Sequence, residues 1–285
     1  MTDKKISFPL EQEYDDFYEN ENYLAEPCLN RIYEESHLSF LKLDEHKSFS
    51  FENDIDPDAN FYKDWNPGSK YYTENLFNEL SLDGFSIIHF NSRSLYANFD
   101  QIKENLQSLK HSFQVIAISE TWLTNEKGSN FILEGYNHFS VNRKTKRGGG
   151  VAFFVQKDFQ CRVVDSTVVD DIMESLTIEI HSTNLKSTIV SCIYRTPGSC
   201  IDSFVNSMVD ILGKVCDKKQ VFVCGDFNID LMKWNEHKMT TEFCNTMFSL
   251  GIWPLIDKPS RITKESATLL DNIFTNTHHQ LSICS

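Results

Sequence analysis

Between Gly148 and Arg195 four apolar runs follow one another with no helical period between them: "GGGVAFFVQ", "CRVVD", "SLTIEIHS" and "STIVSCIYR". Each is short, rich in β-branched or aromatic residues and bounded by polar turns, which is the pattern of strands. Strands joined by short turns pair antiparallel, whereas parallel neighbours need a long crossover. The block therefore excludes a simple doubly wound order. On either side the pattern changes. "FSIIHF" and "FQVIAISETWL" are strand runs separated by "FDQIKENLQSL", where Phe99, Ile102, Leu106 and Leu109 form one helical stripe. Downstream come an amphipathic helix in "SFVNSMVDILGKVC", a strand in "QVFVCGDFN", a helix in "TTEFCNTMFSLG" closed by Gly251, and a last strand in "LLDNIFTN". Many strands with a few helices predict an α/β (α+β) fold of two mostly antiparallel sheets packed face to face, with helices as the outer layers.

A chain of 285 residues is long enough for this core. Its formal charge of -14 is unevenly placed. Residues 1–80 hold 19 acidic and 7 basic side chains, and residues 81–285 hold 22 and 20. The N-terminal segment thus carries a net of -12 and the remainder a net of -2. Acids, Asn and aromatics mix in residues 1–80 without a long period. The segment reads as largely disordered, with short helices near Leu38–Leu43 and Tyr72–Leu80, and its aromatics as able to dock elsewhere. The nearly neutral remainder neither supports nor excludes a phosphate-bearing partner. No run resembles a signal peptide or a membrane span, so an intracellular chain with reduced cysteines is expected. Cys161, Cys192 and Cys224 read as small buried hydrophobes.

Polar residues interrupt or end these strands. Asn91 follows "IIHF", Glu120 follows "VIAIS", Tyr194 and Arg195 end "IVSCIYR", Asp226 and Asn228 end "VFVCGDFN", and Asp271 breaks "ATLLDNIF". Any one of them can be a turn residue or a tipped tyrosine. As a set they suggest a rigid constellation where strand ends converge. Oxygen ligands without a Cys/His cluster suit Mg²⁺, or Mn²⁺, and not zinc. Carboxylates, amides, a phenol and a guanidinium are what phosphoryl chemistry needs.

The ordered set of Asn91, "SETWL", "RGGGVAFFV", "YRTP", "GDFNIDL", "PSRIT" and "LLDNIFTN" resembles the endonuclease/exonuclease/phosphatase superfamily. It is most similar to the apurinic-type endonuclease domain of LINE-type retrotransposons. The resemblance runs from about Phe85 to the end, and implies a four-layer sandwich and Mg²⁺-dependent nicking of DNA. By position, Glu120 matches the metal-binding glutamate and Asn91 the asparagine supporting the metal and water network. Asp226 matches the aspartate that acts on the attacking water, Asn228 the amide beside it, and Tyr194 the tyrosine close to the scissile phosphate. Asp271 matches the aspartate that orients a catalytic histidine. Ser260 stands where relatives often carry Thr, and Ser260 and Arg195 are expected to position substrate.

One departure is clear. Relatives carry a Ser-Asp-His motif and a final strand after the strand of Asp271, and residues 272–285 contain neither. His278 and His279 come too soon and have no Asp before them. The expectation is a domain over 81–285 lacking its last strand, whose activity as written is reduced. Two other readings stand beside the nuclease: a phosphatase or phosphodiesterase of the same superfamily, and an inert remnant that binds nucleic acid or protein. "RKTKRGGG" reads either as a basic loop meeting DNA phosphates or as a solvated hairpin turn, and Trp122 and Trp253 as core residues. With DNA as partner, the chain is expected in the nucleus.

Overall fold

The computed structural model describes residues 69–277, apart from 83, 125–130, 144–146, 183–184 and 217–218. In chain order the elements are α1 (Glu74–Asn78), β1 (Ile87–Asn91), α2 (Leu95–Ser108), β2 (Val115–Ser119), β3 (Tyr136–Val141), β4 (Val151–Gln156), β5 (Gln160–Val169), β6 (Met173–Ser182), β7 (Leu185–Arg195), α3 (Ile201–Leu212), β8 (Gln220–Asp226), α4 (Lys238–Ser249), β9 (Trp253–Pro254), β10 (Arg261–Ile262), β11 (Ala267–Thr268) and β12 (Asp271–Thr275).

They form a four-stranded sheet in the order β1-β2-β4-β3 and a six-stranded sheet in the order β5-β6-β7-β8-β12-β9, with β10-β11 as a separate small pair. The parallel pairs are β1–β2 and β7–β8. These are the two places where a helix, α2 or α3, supplies the crossover a parallel pair requires. The four-strand block β4 to β7 that opened the sequence argument carries no helix. Within it β5–β6 and β6–β7 pair antiparallel, and β4 and β5 lie in different sheets.

Three apolar layers hold the elements together. Between the sheets, Val115, Ala117, Phe153 and Val155 meet Leu176, Ile178, Val190 and Phe222. Outside the smaller sheet, Ile102 and Leu109 of the predicted helical stripe pack with Phe90, Phe113 and Phe154. Outside the larger sheet, Phe204 and Met208 of α3 and Phe243 and Met247 of α4 pack with Val221, Val223 and Phe274. Helix, sheet, sheet, helix is the four-layer order expected. Helix α4 ends in two bonds, Gly251 N–H to Phe248 O and Ile252 N–H to Met247 O, with Gly251 at φ +69°. This paired closure needs a left-handed residue, which glycine adopts without a Cβ clash.

Two features differ from the sequence reading. The fold reaches upstream of the expected boundary at residue 81. Ser69 is buried against Asp257, Tyr71 donates to Pro259 O, and Phe77 of α1 stacks on Phe113. Residues 1–68, including Leu38–Leu43, lie outside the described residues. The second is β3, "YNHFSV", which was not anticipated. All six of its residues are half-buried, so it shows no alternation of apolar and polar positions. Strand β1 is an edge: among the described residues it pairs with β2 alone.

Candidate active site

Three strand ends from two sheets meet at one point. Asn91 closes β1, and its Nδ2 donates both to Glu120 Oε1 at 3.0 Å and to Asp226 Oδ2 at 2.7 Å. Asp226 ends β8 in the other sheet, so this amide bridges the two sheets. Glu120 lies one residue past β2 with a left-handed backbone, φ +52°, and Asn228 likewise at φ +48°. Such conformations are costly for residues with a Cβ and persist where the surroundings enforce them. For Glu120 the enforcement is visible. Ser94 N–H bonds to Glu120 O, Thr121 N–H to Gly150 O and Trp122 N–H to Gly149 O, and Trp122 Nε1 donates to Glu120 Oε2 at 3.2 Å. Trp122 was expected in the core, but its indole N–H holds the carboxylate. Trp253 is a core residue, stacked on Phe248.

The register places further groups beside Asp226. On one side β8 pairs with β7, which sets Tyr194 opposite Asp226. On the other it pairs with β12, which sets Asp271 opposite Asp226. The approach of β7 to β8 depends on Gly225, because a Cβ there would lie 1.8 Å from Ile193 O. Asp226 is 4% exposed. Burial, reinforced by the charges of Asp271 and Glu120, pushes its carboxyl well above the usual range, while the Asn228 N–H on its Oδ1 at 3.0 Å works the other way. Burial likewise pushes Asp271 up to about 6. Burial and the nearby Glu120 and Asp226 charges raise the Tyr194 phenol, so it stays protonated at neutral pH.

Ser260 and Arg195, expected to position substrate, are committed to the protein. Ser260 Oγ accepts from Leu270 N and Asp271 N and donates to Asp271 Oδ2 at 3.1 Å, so it fixes the carboxylate. Arg195 is 3% exposed and donates to Asn228 O at 3.0 Å and to Ser199 O. Asn228 returns the contact with Nδ2 on Arg195 O at 2.7 Å. Both residues therefore act through their neighbours. Arg143 corrects one reading of the basic loop. It is buried, paired with Glu174 at 2.6 Å and bonded to Thr196 Oγ1, so it has no fork left for DNA. His278 and His279 lie outside the described residues.

His89 was missed. It precedes Asn91 by two on β1, so the strand period puts both on one face. Its ring is bonded to Ser119 Oγ at 3.1 Å, and burial pushes its imidazole down to about 3, so it is neutral. Nδ1 lies 4.0 Å from Asp271 Oδ1, an oxygen that is buried and without a hydrogen-bond partner among the described residues.

The gathered donors are oxygens, the set a hard cation takes. Among the described residues no three His, Cys, Asp or Glu side chains come close enough to cage an ion by themselves. Mg²⁺ requires no such cage: it keeps several waters and uses one or two carboxylates with substrate phosphate oxygens. Glu120 beside Asn91 fits that demand.

Known proteins carry the same layers. The chain aligns with the AP endonuclease LMAP from Leishmania major at a TM-score of 0.54 and 13% identity, covering 86% of this chain and 91% of that one. The chain therefore shares the fold of that endonuclease. Two further structures of this fold class align over 67% of this chain and 86% of theirs, both at 14% identity. They are the 3' phosphatase NExo from Neisseria bound to a product DNA hairpin, at a TM-score of 0.52, and the 3'-5' exonuclease NExo from Neisseria meningitidis, at 0.50. By sequence, residues 188–285 match a family described as "Endonuclease-reverse transcriptase". That span holds Tyr194, Asp226, Asn228, Ser260 and Asp271. No curated protein matches the chain by sequence.

Proposed function

We propose that this chain is a Mg²⁺-dependent phosphodiesterase that nicks DNA, the endonuclease of a retrotransposon-type element acting in the nucleus. The observation that carries it is the Asn91 amide bridging Glu120 and Asp226 where the two sheets meet. The endonuclease/exonuclease/phosphatase fold supports hydrolysis, and the family matched by residues 188–285 supports the retrotransposon branch.

In this reading Glu120, steadied by Asn91 and Trp122, holds the cation. The ion, when bound, neutralises charge developing on the phosphoryl oxygens. Asp226 is the general base for the attacking water. Its raised affinity for a proton suits that task, and a nearby cation would restore its ionised form. The Asn228 amide lies beside the phosphate and helps to hold it, and the protonated Tyr194 donates to a non-bridging oxygen. Asp271, fixed by Ser260, supplies negative charge behind Asp226.

A second reading, binding without cleavage, is favoured by one observation. Asp271 Oδ1 is a buried acceptor with no donor among the described residues, so the group it would orient is not one of them. Nicking of supercoiled plasmid separates the two. The nuclease reading expects open-circle product with Mg²⁺ and none with EDTA, and losses of about 10²-fold or more in Glu120→Gln and Asp226→Asn. Plasmid left intact by the unmodified chain, or cut equally by Asp226→Asn, would refute it.

A further inference from the structure

We infer that Arg147, stacked on Trp122, is the residue that grips the nucleic-acid backbone next to the scissile phosphate on the Glu120 side of the candidate site. This rests on the nuclease reading above and adds the path of the strand. Three loops lie side by side there. Ser94 N–H bonds to Glu120 O at 2.9 Å and Leu95 N–H to Thr121 O at 2.9 Å, which joins the segment after β1 to the segment after β2. Trp122 N–H bonds to Gly149 O at 2.9 Å, which adds the segment before β4. Basic and aromatic side chains lie on these adjacent segments. Arg93 is exposed, Tyr96 is 74% exposed, Trp122 is half-buried, and Arg147 is exposed with its guanidinium 5.5 Å from the Trp122 ring.

The two arginines of the basic loop have different roles. Arg143 is locked between Glu174 and Thr196 and anchors the loop. Arg147 lies four residues on, beside glycines packed closely against Glu174 and Thr121. A Cβ at Gly149 would fall 2.5 Å from Glu174 Oε2, and one at Gly150 2.5 Å from Thr121 Oγ1. Arg147 thus stands two residues before a closely packed stretch of backbone. An indole beneath a guanidinium orients its plane and leaves its in-plane N–H groups for a phosphate fork. The same indole holds Glu120 by its Nε1. One ring thus connects the backbone grip to the carboxylate nearest the proposed cation, and a strand seated on Arg147 brings its next phosphate toward Glu120.

The test is binding of a fluorescein-labelled 20-base-pair DNA duplex to the full chain by anisotropy, in EDTA so that no strand is cut, from 0.05 to 0.3 M KCl. Arg147→Gln is expected to bind about tenfold more weakly at 0.1 M salt, with the log–log salt slope shallower by about 0.9. Arg147→Lys should keep the slope and regain part of the affinity, since it retains the charge and loses the fork. Lys238→Gln, an exposed lysine on the outer helix α4, should change neither. If the unmodified chain binds and Arg147→Gln matches it in affinity and slope, the grip is refuted while the DNA reading stands. Equal losses in Arg147→Gln and Lys238→Gln would reduce it to general charge and also overturn it. No binding by the unmodified chain at any salt would overturn the DNA reading itself.

Discussion

Asp271→Asn should make the protein more stable and less active, and the gain should depend on pH. Burial pushes the Asp271 carboxyl up to about 6, with the charge of Glu120 adding to it and the Ser260 hydroxyl opposing. In the unfolded chain the group titrates at its ordinary value of 3.8. Between these values the folded state holds more protons than the unfolded state, so stability falls as pH rises through the window. The stabilisation of the protonated form is intact below the unfolded value and is lost once pH passes the folded one. About two units at 1.36 kcal/mol each give about 3 kcal/mol. The side chain is only 14% exposed, so solvent screening removes little of this. Asparagine has no proton to lose and keeps an oxygen for Ser260. The two proteins should therefore be equally stable near pH 4, and the variant should lead by about 3 kcal/mol at pH 7. For a fold of this size that is about 6–12 °C in Tm. Thermal unfolding in EDTA, followed by circular dichroism from pH 4 to 8, measures it. The difference between the two proteins cancels groups that titrate alike in both. A difference that stays flat with pH, or a variant less stable at pH 7, would refute the reasoning. Plasmid nicking by the variant should fall, because the carboxylate behind Asp226 is gone.

Gly225→Ala sets a Cβ against Ile193 O between two paired strands, where neither backbone can yield, and should cost about 3 kcal/mol or more in urea unfolding. A loss below about 1 kcal/mol would show that β7 and β8 part easily. Glu120→Gln should abolish the rise in Tm that Mg²⁺ gives the unmodified protein, since a ligand of the folded state stabilises by mass action. An equal rise in both would remove Glu120 from the cation site. Arg143→Ala leaves the fully buried Glu174 carboxylate without its partner and should cost about 3–5 kcal/mol in the same urea assay. A loss below about 1 kcal/mol would refute the cost assigned to breaking this pair.

How much of this was legible in the chain follows from which interactions are local. Strands β2, β4 and β8 were readable because both faces are buried, which leaves an apolar run between polar turns. Strand β3 was not, because half-burial at every position lets "YNHFSV" stay mixed. Asn91, Glu120, Asp226 and Asp271 stood out as polar groups at strand ends, where packing does not ask for them. Their distances did not, because the pairing of Asp271 with Asp226 and the bridge from Asn91 join residues far apart in sequence. Residue type also left direction open. Ser260 and Arg195 have the chemistry to meet a substrate, yet one turns to Asp271 and the other to backbone carbonyls. Trp122 erred the other way: an apolar ring suggested the core, while its N–H decided its place. His89 was within reach, since a period of two from Asn91 points at it. The deciding feature is the left-handed backbone of Glu120 and Asn228. An extended residue there would carry its side chain on past the sheet. The left-handed turn brings Glu120 back to Asn91, and it puts the Asn228 N–H on Asp226 Oδ1. Neither residue favours that conformation by itself, so only the surrounding hydrogen bonds from Ser94, Thr121, Trp122 and Arg195 could have revealed it.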